Sequence, residues 1–530
     1  MPEHGIAEVV AFAAAALAVV VVVRFVAERI RMPFTVLLVL VGGLYALLPG
    51  PNIALEPDVV LTAVIAPLLY SAALGASLID IRRAFQPIAS LSLGLVLATA
   101  LVLGALLPLV VPHLGFAAAV ALGAAVAPPD PVAALSIGRR VGLPRRLLTV
   151  IEGEGLLNDA TALTVFGVAV AAVAGSGFSL GLAVGDFLLS AVGGVVIGAG
   201  IALLLGMIRP LREDAVAGAA VSLATPFVVY IVGEELHVSG VLAVVIAGLV
   251  AGHRLPRSDT GASRLQAAAV WRVLDLLLEG FVFLLLGNQL PEIVPALSRY
   301  SAGTLVGAVL VTLAVALLLR PIWLALTQLL PRRLRLAGDR GAPRLTAGEL
   351  VLLSWSGTRG AITLAAVYSL PLDFPQRDLL LFCAFVLVAV TLLGQGLTFA
   401  PLARRLGIRA SAADGIRSRN EARLAAVDAA LARLDDVQEV PEEARAGLLR
   451  DLEERRRRYG RRLEVLSEAE EGEPQVSSDY LAALGARRAI LQAERDELLR
   501  RRDEGMLSEP DLRRLQGELD HQESQLPPIP

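Results

Sequence analysis

The stretch Ile151-Glu-Gly-Glu-Gly-Leu-Leu-Asn-Asp-Ala160 puts Glu152, Glu154, Asn158 and Asp159 inside an otherwise apolar run from about 146 to 174. An ionisable residue at membrane depth is costly and marks a functional site by default. Several carboxylates beside an amide suit a small cation, which wants hard oxygens. They also suit proton transfer, because a carboxylate binds a proton or a cation at the same oxygens. Asp159 is expected to be the shared group, with Asn158 beside it. Asp130, in Ala127-Pro-Pro-Asp-Pro131, is expected to shape the same site from a neighbouring segment. Asp159 and Asp130 are therefore the candidate ligands for a monovalent cation.

Glu154 and Asn158 are four residues apart and share a helix face, whereas Asp159 lies about 100° further round. Glu154 is therefore expected to face another neighbour, a buried base. The intramembrane candidates are Arg320 and Arg359. Neither loses its proton in practice, so each needs a partner or water. The expectation is a supporting ion pair of Glu154 with Arg320 or Arg359. Glu279, in Leu276-Leu-Leu-Glu-Gly-Phe281, is expected to line an ion route. Asp186 and Asp275 are expected at span ends, in the interface.

These residues need a membrane-embedded frame, and the composition provides one. The 530 residues are 55% hydrophobic, with a mean hydropathy of +0.67. That excludes a soluble protein of this size. All 47 basic residues are Arg, which fits compositional bias and carries no functional signal. The single cysteine, Cys383, excludes an internal disulfide and a cysteine metal site. No nucleophile–base set, cofactor motif or nucleic-acid signature is present, so an embedded enzyme is not expected and no cofactor is required. A domain of apolar spans with short charged loops covers 1–405. A tail dense in Arg, Glu and Asp covers 406–530.

Apolar runs and their breakers predict 13 transmembrane helices, at about 6–23, 34–49, 57–76, 86–111, 115–137, 146–174, 180–208, 215–232, 238–252, 265–288, 301–330, 347–370 and 376–400. With the N-terminus outside, the predicted cytoplasmic loops hold 19 Arg and the outside loops hold only Arg299 and Arg377. The 19 include Arg24, Arg29 and Arg31 after the first span and Arg332 to Arg344 before the twelfth. This asymmetry predicts an outside N-terminus and a cytoplasmic C-terminus. Two spans are interrupted, the fifth at Pro128-Pro-Asp-Pro131 and the twelfth at Ser354-Trp-Ser-Gly-Thr-Arg-Gly360. Broken helices at matching places in two halves point to inverted repeats and a secondary transporter.

Gly153-Glu-Gly-Leu-Leu-Asn-Asp-Ala160, with Asp130-Pro-Val-Ala133 before it and Trp355-Ser-Gly-Thr-Arg-Gly-Ala-Ile362 after it, resembles the monovalent cation/proton antiporters of bacterial NhaP and animal NHE type. The resemblance spans about 5–405. It implies sodium-for-proton exchange by alternating access, a homodimer, and a place in the bacterial inner membrane among its lipids. The Asn158-Asp159 pair implies electroneutral one-for-one exchange. Three positions depart from the usual pattern. Pro129 stands where Thr is usual, Gly155 where Ser is usual, and Ser71 where an acidic residue often lines the ion route. These departures put sodium preference over potassium in question, leaving a K+/H+ antiporter of the same fold as the alternative. A cation channel is a weaker one, because it would need an open pore.

The tail shows helical periodicity with charged faces. Pro441, Gly472-Glu-Pro474 and 505–510 divide it into three or four helices. Its segment Arg488 to Glu518, rich in Glu and Arg, resembles tails of bacterial antiporters of this kind, and the tail is expected to be a solvated appendage or a regulatory or dimer-supporting domain.

Overall fold

The computed structural model describes residues 6–30, 34–47, 61–175, 180–208, 214–258, 261–329, 345–408, 412–437, 441–468, 478–504 and 506–524. Among these residues every regular element is helical. Two compact units divide the chain, Met1–Arg409 and Ala410–Pro530.

The first unit begins with α1 (Ile6–Ile30), α2 (Phe34–Tyr45) and α3 (Ala66–Gly75), the last entered through a π-helical turn at Leu61–Ile65. After a short helical turn at Leu78–Arg83 come α4 (Phe85–Leu109), the half-helices α5 (Phe116–Val126) and α6 (Pro131–Val141), and the long α7 (Arg145–Val173). The chain continues through α8 (Leu180–Leu205), α9 (Ala215–Glu235), α10 (Gly240–Ser258), α11 (Gly261–Ala296) and α12 (Ala302–Leu329). A second pair of half-helices, α13 (Ala347–Trp355) and α14 (Ala361–Tyr368), precedes α15 (Arg377–Arg405).

Among the described residues, each of the 13 predicted stretches overlaps helix. Six helices are long and apolar enough to cross a membrane unaided: Phe85–Leu109, Arg145–Val173, Leu188–Leu205, Ala215–Glu235, Ala302–Gln328 and Arg377–Arg405. Most of the other stretches are shorter or interrupted apolar helices, whereas 265–288 lies within the long α11. Outward-facing Leu188, Leu189, Val192 and Val196 on α8, and Val306, Leu310 and Leu318 on α12, leave apolar side chains exposed, as helices meeting lipid require.

Several boundaries differ from expectation. α1 runs on to Ile30, so Arg24 and Arg29 ride on the helix and not in a loop. α11 spans 36 residues, well beyond the predicted 265–288, which places Asp275 mid-helix and part-buried. Asp275 is therefore not at a span end. Arg31, Arg209, Arg212 and the Arg332–Arg344 cluster lie outside the described residues, as does the side chain of Asp186.

The helix breaks follow from local chemistry. Pro128, Pro129 and Pro131 cannot donate to a helical ladder, and Pro131 takes the first position of α6, where no donor is needed. α13 starts on a capping box of Thr346 and Glu349 and stops before Gly357 and Gly360.

The second unit holds two helical hairpins, α16 (Ala412–Asp436) with α17 (Glu442–Glu468), and α18 (Ser478–Asp503) with α19 (Glu509–Ser524). Arg456 meets Asp428 at 2.8 Å in the first, and Arg495 meets Asp520 and Glu523 at 2.7 and 2.8 Å in the second. Hydrogen bonds from Arg500 and Arg501 hold the exposed Glu497 carboxyl down to about 2. The predicted breaker at Gly472-Glu-Pro474 lies outside the described residues.

Candidate ion-binding site

α7 carries the polar cluster through the centre of the first unit. Glu154, Asn158 and Asp159 are 1%, 0% and 4% exposed. Glu152 points elsewhere, half-buried and 3.8 Å from Arg139 on α6.

The two broken helices meet beside this cluster. The Asp130 N–H donates to the Thr358 carbonyl at 2.6 Å, and the Thr358 hydroxyl donates back to the Asp130 carbonyl at 2.9 Å. Each break thus supplies hydrogen bonds that the other lacks, which buried non-helical backbone requires. The Asp130 side chain lies on Gly360, at the start of α14. A Cβ at Gly360 would stand 2.7 Å from the Asp130 Cβ and closer still to its carboxyl group. A carboxylate there faces the positive end of the helix.

The two buried arginines serve the opposite ends. Arg320, 3% exposed on α12, donates from Nε to the Leu353 carbonyl in the last turn of α13 at 2.9 Å. Arg359, also 3% exposed, donates from Nε to the Val126 carbonyl at the end of α5 at 2.7 Å. Both satisfy carbonyls that a helix terminus leaves without partners. Arg320 further forms a two-pronged pair with Glu154, its Nη2 lying 2.8 Å from Oε2 and its Nη1 bonding Oε1. Arg359 instead binds the carbonyls of Val126 and Gly357, and its own N–H donates to Thr391 on α15 at 3.0 Å. Of the two bases expected for Glu154, Arg320 is the one in place.

Asn158 links α7 to the first break. Its Nδ2 donates to the Pro129 carbonyl at 3.4 Å, and its Oδ1 is buried with no hydrogen-bond partner. Asp159 feels the charges of Asp130 and Glu154. The structure therefore ties Asn158 to the first break and leaves Asp159 within electrostatic reach of both Asp130 and Glu154, the latter paired with Arg320.

Ser71 on α3 and Glu279 on α11 belong to a second acidic group. The Ser71 hydroxyl donates to Asp275 Oδ2 at 2.7 Å, and Asp275 Oδ1 is buried without a partner. Glu279 follows one turn later on the same helix face and lies within electrostatic reach of Asp275, Asp130 and Arg24. Asp275 is the residue that sequence reasoning misplaced. Its spacing of four from Glu279 was the available signal.

A π-helical turn, Ser90–Leu95, also supports the site. It presents Ser92, whose hydroxyl donates to the Glu154 carbonyl at 3.2 Å, and Ser90, which accepts from Trp323 Nε1 at 3.1 Å. Such turns recur at functional sites and leave no clear mark in a sequence.

Two crossed broken helices beside buried carboxylates, within an apolar helical domain, define a multi-pass membrane transporter. The family described as "Sodium/hydrogen exchanger, transmembrane" matches residues 15–405. The chain belongs to that family, whose members exchange monovalent cations for protons. A Mycobacterium tuberculosis protein named as an uncharacterized Na+/H+ exchanger is 31% identical over 529 residues, covering 97% of this chain and 95% of the relative. The sodium, potassium, lithium and rubidium/H+ antiporter of Bacillus subtilis is 32% identical, covering 68% of this chain and 56% of the relative. The sodium proton antiporter MjNhaP1 from Methanocaldococcus jannaschii shares the fold, with a TM-score of 0.61 at 19% identity, covering 75% of this chain and 98% of that one.

Proposed function

We propose that this chain exchanges Na+, Li+ or K+ for H+ one for one, with cation and proton competing for Asp159 by alternating access. One observation carries the reading. Hydrogen bonding to Pro129 fixes the Asn158 amide so that Oδ1, buried and without a donor, is free to accept a cation beside Asp159. A buried oxygen lacking a donor is costly unless an ion or water meets it. Asp130 shapes the site from the break, and the pairing of Glu154 with Arg320 makes Glu154 a strut and not a carrier. Ser71, Asp275 and Glu279 form the ion route.

The architecture is read as 13 spans in two inverted repeats within 1–405, with the N-terminus outside. The chain works as a homodimer in a bacterial inner membrane, and the helical tail, 406–530, is cytoplasmic. A K+/H+ antiporter of the same fold is the second reading. Pro129 and Gly155 offer no hydroxyl to a small cation, and one relative is named for sodium, potassium, lithium and rubidium together.

Purified protein in liposomes with an imposed pH gradient tests both readings. Dissipation on adding NaCl, LiCl or KCl, with no current, supports antiport and ranks the ions. Flux without a counter-ion would indicate a channel, and no cation-dependent flux would overturn antiport.

A further inference from the structure

Gly155 sits one turn before Asn158 on α7 and faces the first residue of α6. A Cβ built on it would stand 2.8 Å from Pro131 Cδ and 2.9 Å from Pro131 Cβ, and closer still to Cγ. The neighbour decides what that contact means. At Gly153 a Cβ would meet the Ile88 side chain, with Cγ1 at 3.0 Å, and that flexible chain end can rotate away. A proline ring cannot, because it is closed onto its own backbone. Any side chain at 155 must therefore push the start of α6 off α7.

The start of α6 does not move alone. Pro131 follows Asp130, which Thr358 holds by two hydrogen bonds and which lies on Gly360. Pro129, one residue further back, holds the Asn158 amide at 3.4 Å. That reach is already long, so a small retreat of Pro131 would break it. The amide could then turn, and its free oxygen would no longer be aimed.

We propose that Gly155 is a specificity-determining residue. Its bare backbone lets Pro131 seat on α7, which draws the Pro129–Asp130 segment close to Asn158 and Asp159 and fits the cavity to a small cation. This rests on the reading that Asp159 and Asn158 bind the exchanged cation. On this view Gly155 is a spacer that sets the width of the site, not merely a position lacking a hydroxyl.

Full-length protein in proteoliposomes provides the test. Apparent KM and maximal rate are measured with LiCl, NaCl and KCl for wild type, G155A, G155S, P131A and G155A/P131A. G155A should raise the KM for Li+ and Na+ by about tenfold, the weight of one ligand contact to a charge. The KM for K+ should change less, and the maximal rate at saturating cation should be largely kept. G155S should shift the ions in the same direction, because its Cβ meets the same ring. Removing the ring in G155A/P131A should return the ion order towards wild type. Wild-type KM values and ion order in G155A would overturn the proposal. So would tighter Na+ binding in G155S, since the missing hydroxyl would then be what matters. If G155A does not fold, the double variant must fold with the wild-type ion order, and any other result also overturns it. A wild type that exchanges normally while G155A is unaltered defeats this inference alone, whereas a wild type with no cation-dependent flux defeats the exchange reading beneath it.

Discussion

An aspartate that trades a proton for a cation cannot be replaced by its amide, which binds neither as an anion does. Asp159→Asn is therefore expected to fold and to lose exchange entirely, as read by pH-gradient dissipation on adding Na+. On the proposed reading, competition at Asp159 sets the pH dependence in the wild type. As pH falls, protons occupy the site and the apparent KM for cation rises, by up to about tenfold per pH unit for one proton against one cation. A KM independent of pH would mean that the two do not share a group. Glu154 should behave differently, because it is neutralised by Arg320 in a dry setting. Removing one partner of such a pair typically costs about 3–5 kcal/mol. Glu154→Gln should thus lower thermal stability clearly, with activity following. Neutralising Arg320 as well should recover part of the loss, though not all, since Arg320 also holds the Leu353 carbonyl. Neutralising Arg359 instead should recover none. On the proposed ion route, Asp275→Asn would remove one charge along the way to the site. The expected result is a KM raised by about fivefold, the weight of roughly 1 kcal/mol from one screened charge, with the maximal rate kept. A collapse of the maximal rate with unchanged KM would place Asp275 in the translocation step instead. The residue types were legible in the sequence, because carboxylates and arginines stand out against apolar neighbours. The partner of Glu154 was not, since Arg320 and Arg359 both lie at membrane depth and only packing decides between them.

At the scale of elements, four half-helices meet, and three of the ends at their crossing are met by a group of opposite sign. Arg320 and Arg359 face the carbonyl ends of α13 and α5, and the Asp130 side chain faces the amide end of α14. The crossing is close at Gly360, where a Cβ would run into Asp130. Gly360→Ala should therefore displace Asp130 and open the crossing. The expected outcome is exchange lowered by about tenfold or more, consistent with the cost of misplacing a site group by an ångström, in a protein that still purifies as a monodisperse species. Normal kinetics in Gly360→Ala would show that Asp130 need not sit against α14. The positions of both breaks were readable, because Pro and Gly cannot sustain a helical ladder. Which carbonyls the breaks would offer, and to whom, was not. The π-helical turns at Leu61–Ile65, Ser90–Leu95 and Leu392–Gly396 were equally hidden, since each lies in an apolar run that reads as plain helix. Helix ends were misjudged where polar residues ride on a continuing helix, as Arg24 and Arg29 do on α1 and as Asp275 does within the long α11.

Across the whole molecule, the charged side chains packed nearest Asp159 are held in place, and on the proposed reading Asp159 alone exchanges its partner. Glu154 and Arg320 cancel each other, Arg359 is fixed by carbonyls, and the Asp130 backbone is fixed by the crossing, with its side chain lying on Gly360. The residue beside Asp159 is Asn158, which adds a ligand oxygen without adding a charge. The mobile site thus carries the same charge whether Asp159 holds a proton or a cation. Moving an elementary charge across the membrane is worth about 2.3 kcal/mol per 100 mV, so a cycle with unequal charges would respond steeply to voltage. This one should not. In liposomes with opposed Na+ and H+ gradients, the ratio at which net flux vanishes should equal one cation per proton. It should stay there when an ionophore clamps the potential at about −100 mV, a setting that would apply the full 2.3 kcal/mol to any unbalanced charge. A null point that moves with voltage would require a second proton in the cycle. The nearby carboxylate that could carry it without breaking the Arg320 pair is Asp130, so Asp130→Asn in the same assay would then abolish the voltage dependence.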